Sequence, residues 1–82
     1  MKYSKIDSNN KCKIYHDYIK LQQYRCAICG LHQDASEKRF CIDHDHYSGE
    51  VRGVLCFKCN WGLGMFHDSA DLLMQAAKYL GR

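Results

Sequence analysis

A chain of 82 residues, 46% hydrophobic and 26% charged, has room for one small domain and a modest core. Domains of this size commonly lean on a metal or on disulfides, and six cysteines supply the means for either. No run approaches the roughly 18 to 20 apolar residues of a membrane span, and the first residues carry no apolar stretch of the signal-peptide kind. The expected compartment is therefore the cytoplasm, where thiols stay reduced and cysteines bind metal more often than each other.

The formal charge of +3 is unevenly placed, with +4 on residues 1–25 and −1 on residues 26–82. Four thiolates around one zinc ion would bring the whole chain to about +1. A basic N-terminal third suits a polyanion such as nucleic acid, and equally suits an ordinary solvated surface. Charge alone does not separate the two.

In chain order, residues 1–9 are polar and read as irregular. Over about 10–24 the apolar positions Ile14, Tyr15, Tyr18, Ile19 and Leu21 recur at spacings of three and four. That periodicity predicts an amphipathic helix with this face inward, and Asn9 or Asn10 can cap its start. Lys13 and Lys20 fall on or near the exposed side; with Arg25 they are candidate phosphate contacts, and each taken singly is also an ordinary solvated cation.

Cys26-Ala27-Ile28-Cys29-Gly30 forms a first knuckle, with Gly30 free to take the positive φ of a tight turn around a metal. Residues 32–38 are polar and loop-like; His32 is a conceivable metal ligand, but four better-placed thiolates assign it to the surface. Residues 39–43 alternate as a strand, Phe40 and Ile42 on one face and Arg39, Cys41 and Asp43 on the other. A turn at 47–50 and a second strand at 51–55 make a hairpin whose connection carries Asp43-His44-Asp45-His46. Cys56-Phe57-Lys58-Cys59 follows as a second knuckle, then a short helix from Asn60 to Phe66. Gly62 and Gly64 weaken that helix, which points to a close backbone contact there. A last helix over about 69–80, capped by Asp68 or Ser69, would bury Leu72, Leu73, Ala76, Ala77 and Leu80.

The pairs Cys26/Cys29 and Cys56/Cys59 are separated by 26 residues. Two such turns face to face give the closed tetrahedral sulfur site of structural zinc. The gap exceeds the commonest zinc-ribbon spacing, as if the hairpin were inserted between the knuckles. Two pairs without a βαβ pattern do not suit a thioredoxin-like redox role. Cys12 is left as a buried or half-buried side chain, and Cys41 as a strand residue near the cluster.

A zinc-stapled interaction knuckle has no use for two carboxylates and two imidazoles in four consecutive positions. Phosphodiester hydrolysis has: it needs a base for water and a hard cation for the charge on the phosphate and leaving oxygen. Imidazole suits the first task near neutral pH, and carboxylate or amide oxygens suit Mg²⁺ for the second. Adjacent strand residues point to opposite faces, so Asp43 and His44 share a site only if the strand ends there and the chain bends.

Cys-Ala-Ile-Cys-Gly, then Ile-Asp-His-Asp-His-x-x-Gly-x-Val-Arg-Gly-x-Leu-Cys-x-x-Cys-Asn, then Leu-Gly and a terminal Tyr-Leu, resembles the recombination endonuclease VII family over residues 24–80. These are phage-associated nucleases of the His-Asn-His (ββα-metal) class. The resemblance implies a single α+β nuclease domain over 1–82, stapled by zinc, with a ββα-metal hairpin-helix core over about 39–66 between an N-terminal and a C-terminal helix. It implies a catalytic Mg²⁺ or Mn²⁺ held by Asp43 and Asn60, His44 as general base and His46 as an auxiliary group near the phosphate. Arg52 would bind backbone phosphate or steady the hairpin. DNA is the implied partner, cut to a 5′-phosphate and a 3′-hydroxyl in the host cytoplasm if the chain is phage-encoded; a homodimer is left open, and no organic cofactor or membrane is implied. Two departures stand out: no long C-terminal extension of the kind that builds a junction-resolving dimer, and Leu63 where some members place an acid near the metal. They turn the expectation from four-way-junction resolution toward nicking or double-strand cleavage, with branched DNA still among the candidate substrates. The alternative is a zinc module that binds nucleic acid without cutting it.

Overall fold

A computed structural model describes residues 9–81. The expectation of irregular chain over residues 1–8 lies outside the described residues. The order is α1 (Lys11–Leu21), a 3-10 turn (Gln33–Ala35), β1 (Cys41–His44), β2 (Val51–Leu55), α2 (Phe57–Met65) and α3 (Ala70–Tyr79). β1 and β2 pair as an antiparallel hairpin, and α2 follows β2 after one residue. The class is α+β, with a strand–strand–helix unit whose helix begins inside the second knuckle.

The core sits where α1 crosses the hairpin. Ile14, Tyr15 and Ile19 of α1 are buried as their spacing requires, together with Phe40, Val51, Val54, Leu55 and the knuckle residues Cys26 and Cys56. Tyr18, Ile42, Cys59 and Leu63 pack around this cluster. Two of the four clustered sulfurs are thus part of the core. Leu21 is not: it stays 65% exposed at the end of α1, past the last turn that faces the hairpin.

Gln22, which caps α1, fixes the helix to the sheet edge. Its Oε1 accepts from the Val54 amide and its Nε2 donates to the Val54 carbonyl, both at 2.8 Å, so the side-chain amide pairs with β2 as a neighbouring strand would. Nε2 also reaches the Arg25 carbonyl at 2.8 Å. Glycine opposite leaves room for this approach: a Cβ on Gly53 would meet Gln22 Oε1 at 2.9 Å and push that side chain out of its pairing.

Three expectations are corrected. Cys12 is exposed because it stands in the first turn of α1, ahead of Ile14, where the buried part of the helix begins. Gly62 and Gly64 face open space, with nothing within 4 Å of where a Cβ would stand, so close packing does not explain them. The apolar stripe of α3 buries none of its residues, with Leu72 44% and Leu80 74% exposed, since the core is already closed by α1 and the hairpin. Its cap is as expected: Ser69 Oγ accepts from the Leu72 amide at 3.1 Å.

Candidate active site and metal centre

The two knuckles bring their sulfurs together. The Sγ atoms of Cys26, Cys29, Cys56 and Cys59 lie within 4.8 Å of one another, and Cys29 Sγ is 3.7 Å from Cys56 Sγ. Tetrahedral zinc with bonds of about 2.3 Å needs sulfur–sulfur edges of about 3.8 Å, so the donor set fits that ion. Gly30 supplies the turn at φ +78°, its amide bonding to the Cys26 carbonyl at 3.1 Å. Cys56 has a second task as the N-cap of α2, its sulfur accepting from the Cys59 amide at 3.4 Å.

The thiols are electrostatically unequal. Burial pushes Cys26 up, but amide donors at Cys56, Cys29 and Ile28 outweigh it and bring the thiol down to about 6. Burial, then the neighbouring sulfurs, pushes Cys59 well above an ordinary thiol. One thiolate forms readily and the last resists joining it. A divalent cation removes that repulsion.

The hairpin is irregular at the Asp/His stretch. Cys41 pairs with Leu55, Ile42 with Val54 and Asp43 with Gly53, but His44 pairs with Val51, so Arg52 is an extra residue in β2. This β-bulge bends β2 and increases the local twist opposite the Asp43–His44 step, and β1 ends at His44. Asp43, His44, His46 and Asn60 line one cavity of about 430 Å³. The His44 and His46 rings are 5.8 Å apart, centroid to centroid. Asn60 comes from the first turn of α2, directly after Cys59, its amide bonded to the Cys56 carbonyl at 3.0 Å.

Asp45, the other acid of the cluster, shapes the connection. Its Oδ1 accepts from the Tyr47 and Ser48 amides at 2.8 and 2.9 Å, which holds the carboxyl below its ordinary range. Gly49 closes the turn at φ +78°.

Arg52 is clamped between two carboxylates. Its Nε and Nη2 donate to the two Asp43 oxygens at 2.7 and 3.0 Å, and Nη1 and Nη2 donate to the two Asp68 oxygens at 3.1 and 2.9 Å. Four of the five N–H groups of a guanidinium are thereby used, which leaves little for a phosphate and much for steadying the hairpin. These hydrogen bonds raise the guanidinium's already high pKa and lower that of Asp68. Asp68, which also lines the cavity, is the residue that sequence reasoning missed. It lies after α2 at φ +57°, beside His67 at +56°, two successive left-handed residues that no local signal announces. Replacing Arg52 by alanine leaves two largely enclosed carboxylates facing each other; we expect the zinc-loaded protein to lose roughly 1–3 kcal/mol in urea unfolding. Lysine at 52 cannot form the double fork and should restore little of it. Unchanged stability in both variants would return Arg52 to the phosphate role.

Lys13, Lys20 and Arg25 are exposed and are not among the residues lining the cavity. Lys13 pairs with Asp17 at 2.9 Å, and Arg25 donates to the Gly30 carbonyl at 3.0 Å. No helix of the described residues is long and apolar enough to cross a membrane.

The profile of the recombination endonuclease VII family matches residues 2–82. The Gene 59 protein of Mycobacterium phage L5 is 39% identical over 67 residues, covering 80% of this chain and 40% of that protein. The Gene 59 protein of Mycobacterium phage D29 is 40% identical over the same length, with the same coverage. The match thus spans about 40% of the length of these curated relatives. No solved structure matches the chain. With a profile match over nearly its whole length, the chain belongs to the recombination endonuclease VII family.

Proposed function

We propose that this chain is a metal-dependent DNA endonuclease of the His-Asn-His class, with structural zinc on Cys26, Cys29, Cys56 and Cys59. The convergence of Asp43, His44, His46 and Asn60 on one cavity carries the reading. Asp43 and Asn60 present a carboxylate and an amide oxygen, the hard donors that Mg²⁺ or Mn²⁺ takes. Arg52 occupies one lone pair on each Asp43 oxygen, and a carboxylate oxygen has a second to offer. When bound, the divalent ion supplies positive charge for the phosphate and the leaving oxygen.

The remaining steps belong to side chains. His44, exposed at the end of β1, accepts a proton from water as its oxygen attacks phosphorus. The bond from phosphorus to the 3′-oxygen breaks, giving a 5′-phosphate and a 3′-hydroxyl, the latter protonated from solvent or a nearby acid. His46, beside His44, sits to hydrogen-bond a non-bridging phosphate oxygen. Lys13, Lys20 and Arg25 would meet more distant phosphates and give binding a salt dependence. The DNA is cut by nicking, double-strand or branched cleavage, in the host cytoplasm, by a monomer or a homodimer.

Supercoiled plasmid incubated with zinc-loaded protein is expected to be nicked and then linearised when Mg²⁺ or Mn²⁺ is added, and to stay intact when that ion alone is omitted. Plasmid that is bound but uncut under every metal condition would instead establish a zinc module that binds nucleic acid without hydrolysing it.

A further inference from the structure

Trp61 stands beside the candidate catalytic residues and is poorly covered. It follows Asn60 on α2, lines the same cavity as His44 and His46, and is 59% exposed. The Phe57 ring lies one helical turn back, centroid 5.1 Å from that of Trp61 and tilted by 36°. Lys38 lies over Phe57, with Nζ 4.2 Å from that ring's centroid. An indole held by a second ring, near a cation and lining the cavity that also holds two imidazoles, has the parts of a stacking platform: a π face, a rigid backing and a charge for phosphate. Core packing does not account for it, because Trp61 is outside the buried cluster.

We propose that Trp61, backed by Phe57, stacks on a nucleobase flanking the phosphate to be cut, and so selects DNA in which that base is unpaired. The proposal rests on the nuclease reading for the position of that phosphate. The reason for the selection is steric. In a paired duplex both faces of each base are covered by neighbours, so an indole can stack only on a base already released from the helix or flipped out at a cost. Single-stranded, bulged or flapped DNA offers such a base freely. Lys38, beside the rings, would take the adjoining phosphate.

Trp61 is the chain's single tryptophan, so its emission reports this contact directly. Zinc-loaded protein carrying His44→Ala, kept free of Mg²⁺ and Mn²⁺ so that the DNA stays intact, is titrated with oligonucleotides of one sequence in single-stranded, single-base-bulged and fully paired forms. Quenching of Trp61 emission is expected with the first two forms and not with the third. Trp61→Ala should weaken single-strand binding by about 5- to 150-fold, while Trp61→Phe, with zinc content matching the parent, should keep most of it. Quenching and affinity loss of equal size on paired and unpaired DNA would overturn the proposal. So would unquenched emission at saturating single strand, or emission that follows protein concentration alone, which would assign the face to a second copy of the chain. Because no readout depends on cleavage, a wild type that fails to cut would sink the nuclease reading and leave stacking standing. A wild type that cuts while Trp61 stays unquenched would do the reverse.

Discussion

Replacing His44 by alanine is expected to lower plasmid cleavage by roughly 10²- to 10⁴-fold, the usual contribution of a positioned general base. The variant should retain its zinc and its fold. His44 is exposed at the last position of β1, outside the buried cluster, so its removal opens no cavity in the core. The neighbouring imidazole is the natural control. His46 lies past the strand end, 5.8 Å from His44 between ring centroids, and its loss should cost less because it contributes a hydrogen bond rather than proton removal. Cleavage of equal rate in wild type and His44→Ala would sink the assignment. A cleavage loss accompanied by zinc loss would show instead that the substitution had damaged the fold.

Removing the zinc should cost the protein its structure. Coordination by four thiolates is worth on the order of 10 kcal/mol of apparent folding free energy, comparable with the whole net stability of an ordinary domain. Here the dependence is sharpened by burial: Cys26 and Cys56 are core residues, 4% and 2% exposed, and the rest of the buried set is small. Stripping the ion leaves several sulfurs competing for a few protons and amides at the centre of the molecule. Chelation or Cys59→Ser should therefore abolish the cooperative melt followed by circular dichroism; a melt that survives either change would refute a structural role. Acid should act in the same direction. Zinc competes with protons for every sulfur, so its affinity falls as pH falls. Cys26, lowered to about 6, keeps its negative charge further into acid than an ordinary thiol, while Cys59, raised by burial and its neighbours, depends on the metal to ionise near neutrality.

What could be read from the sequence was local. The α1 stripe, the Gly30 and Gly49 turns, the hairpin and the Ser69 cap each rest on residues a few positions apart, and each is found. The four cysteines were legible because paired knuckles have a spacing of their own. What escaped depends on distant partners or on competition for a small core. Asp68 meets Arg52 across 16 positions, through two left-handed residues without a glycine. Gln22 meets Val54 across 32 positions, and nothing in its neighbourhood marks it as a strand mimic. The α3 stripe has the period of a buried helix, but periodicity says which side is apolar and not whether anything covers it. The need for a bend between Asp43 and His44 followed from strand geometry; that an extra residue in the opposite strand would provide it did not.

That extra residue is Arg52, and it is also the clamp between Asp43 and Asp68. Bend and clamp therefore cannot be lost independently in both directions. A substitution at 52 removes the clamp and leaves the extra residue in β2. A one-residue deletion removes both at once, and regular pairing then takes the bend and extra twist out of β2 opposite His44. Among natural variants of this chain, side-chain changes at 52 should be tolerable in proportion to the stability they cost, whereas a change in the length of β2 would alter how His44 and Asp43 stand relative to each other.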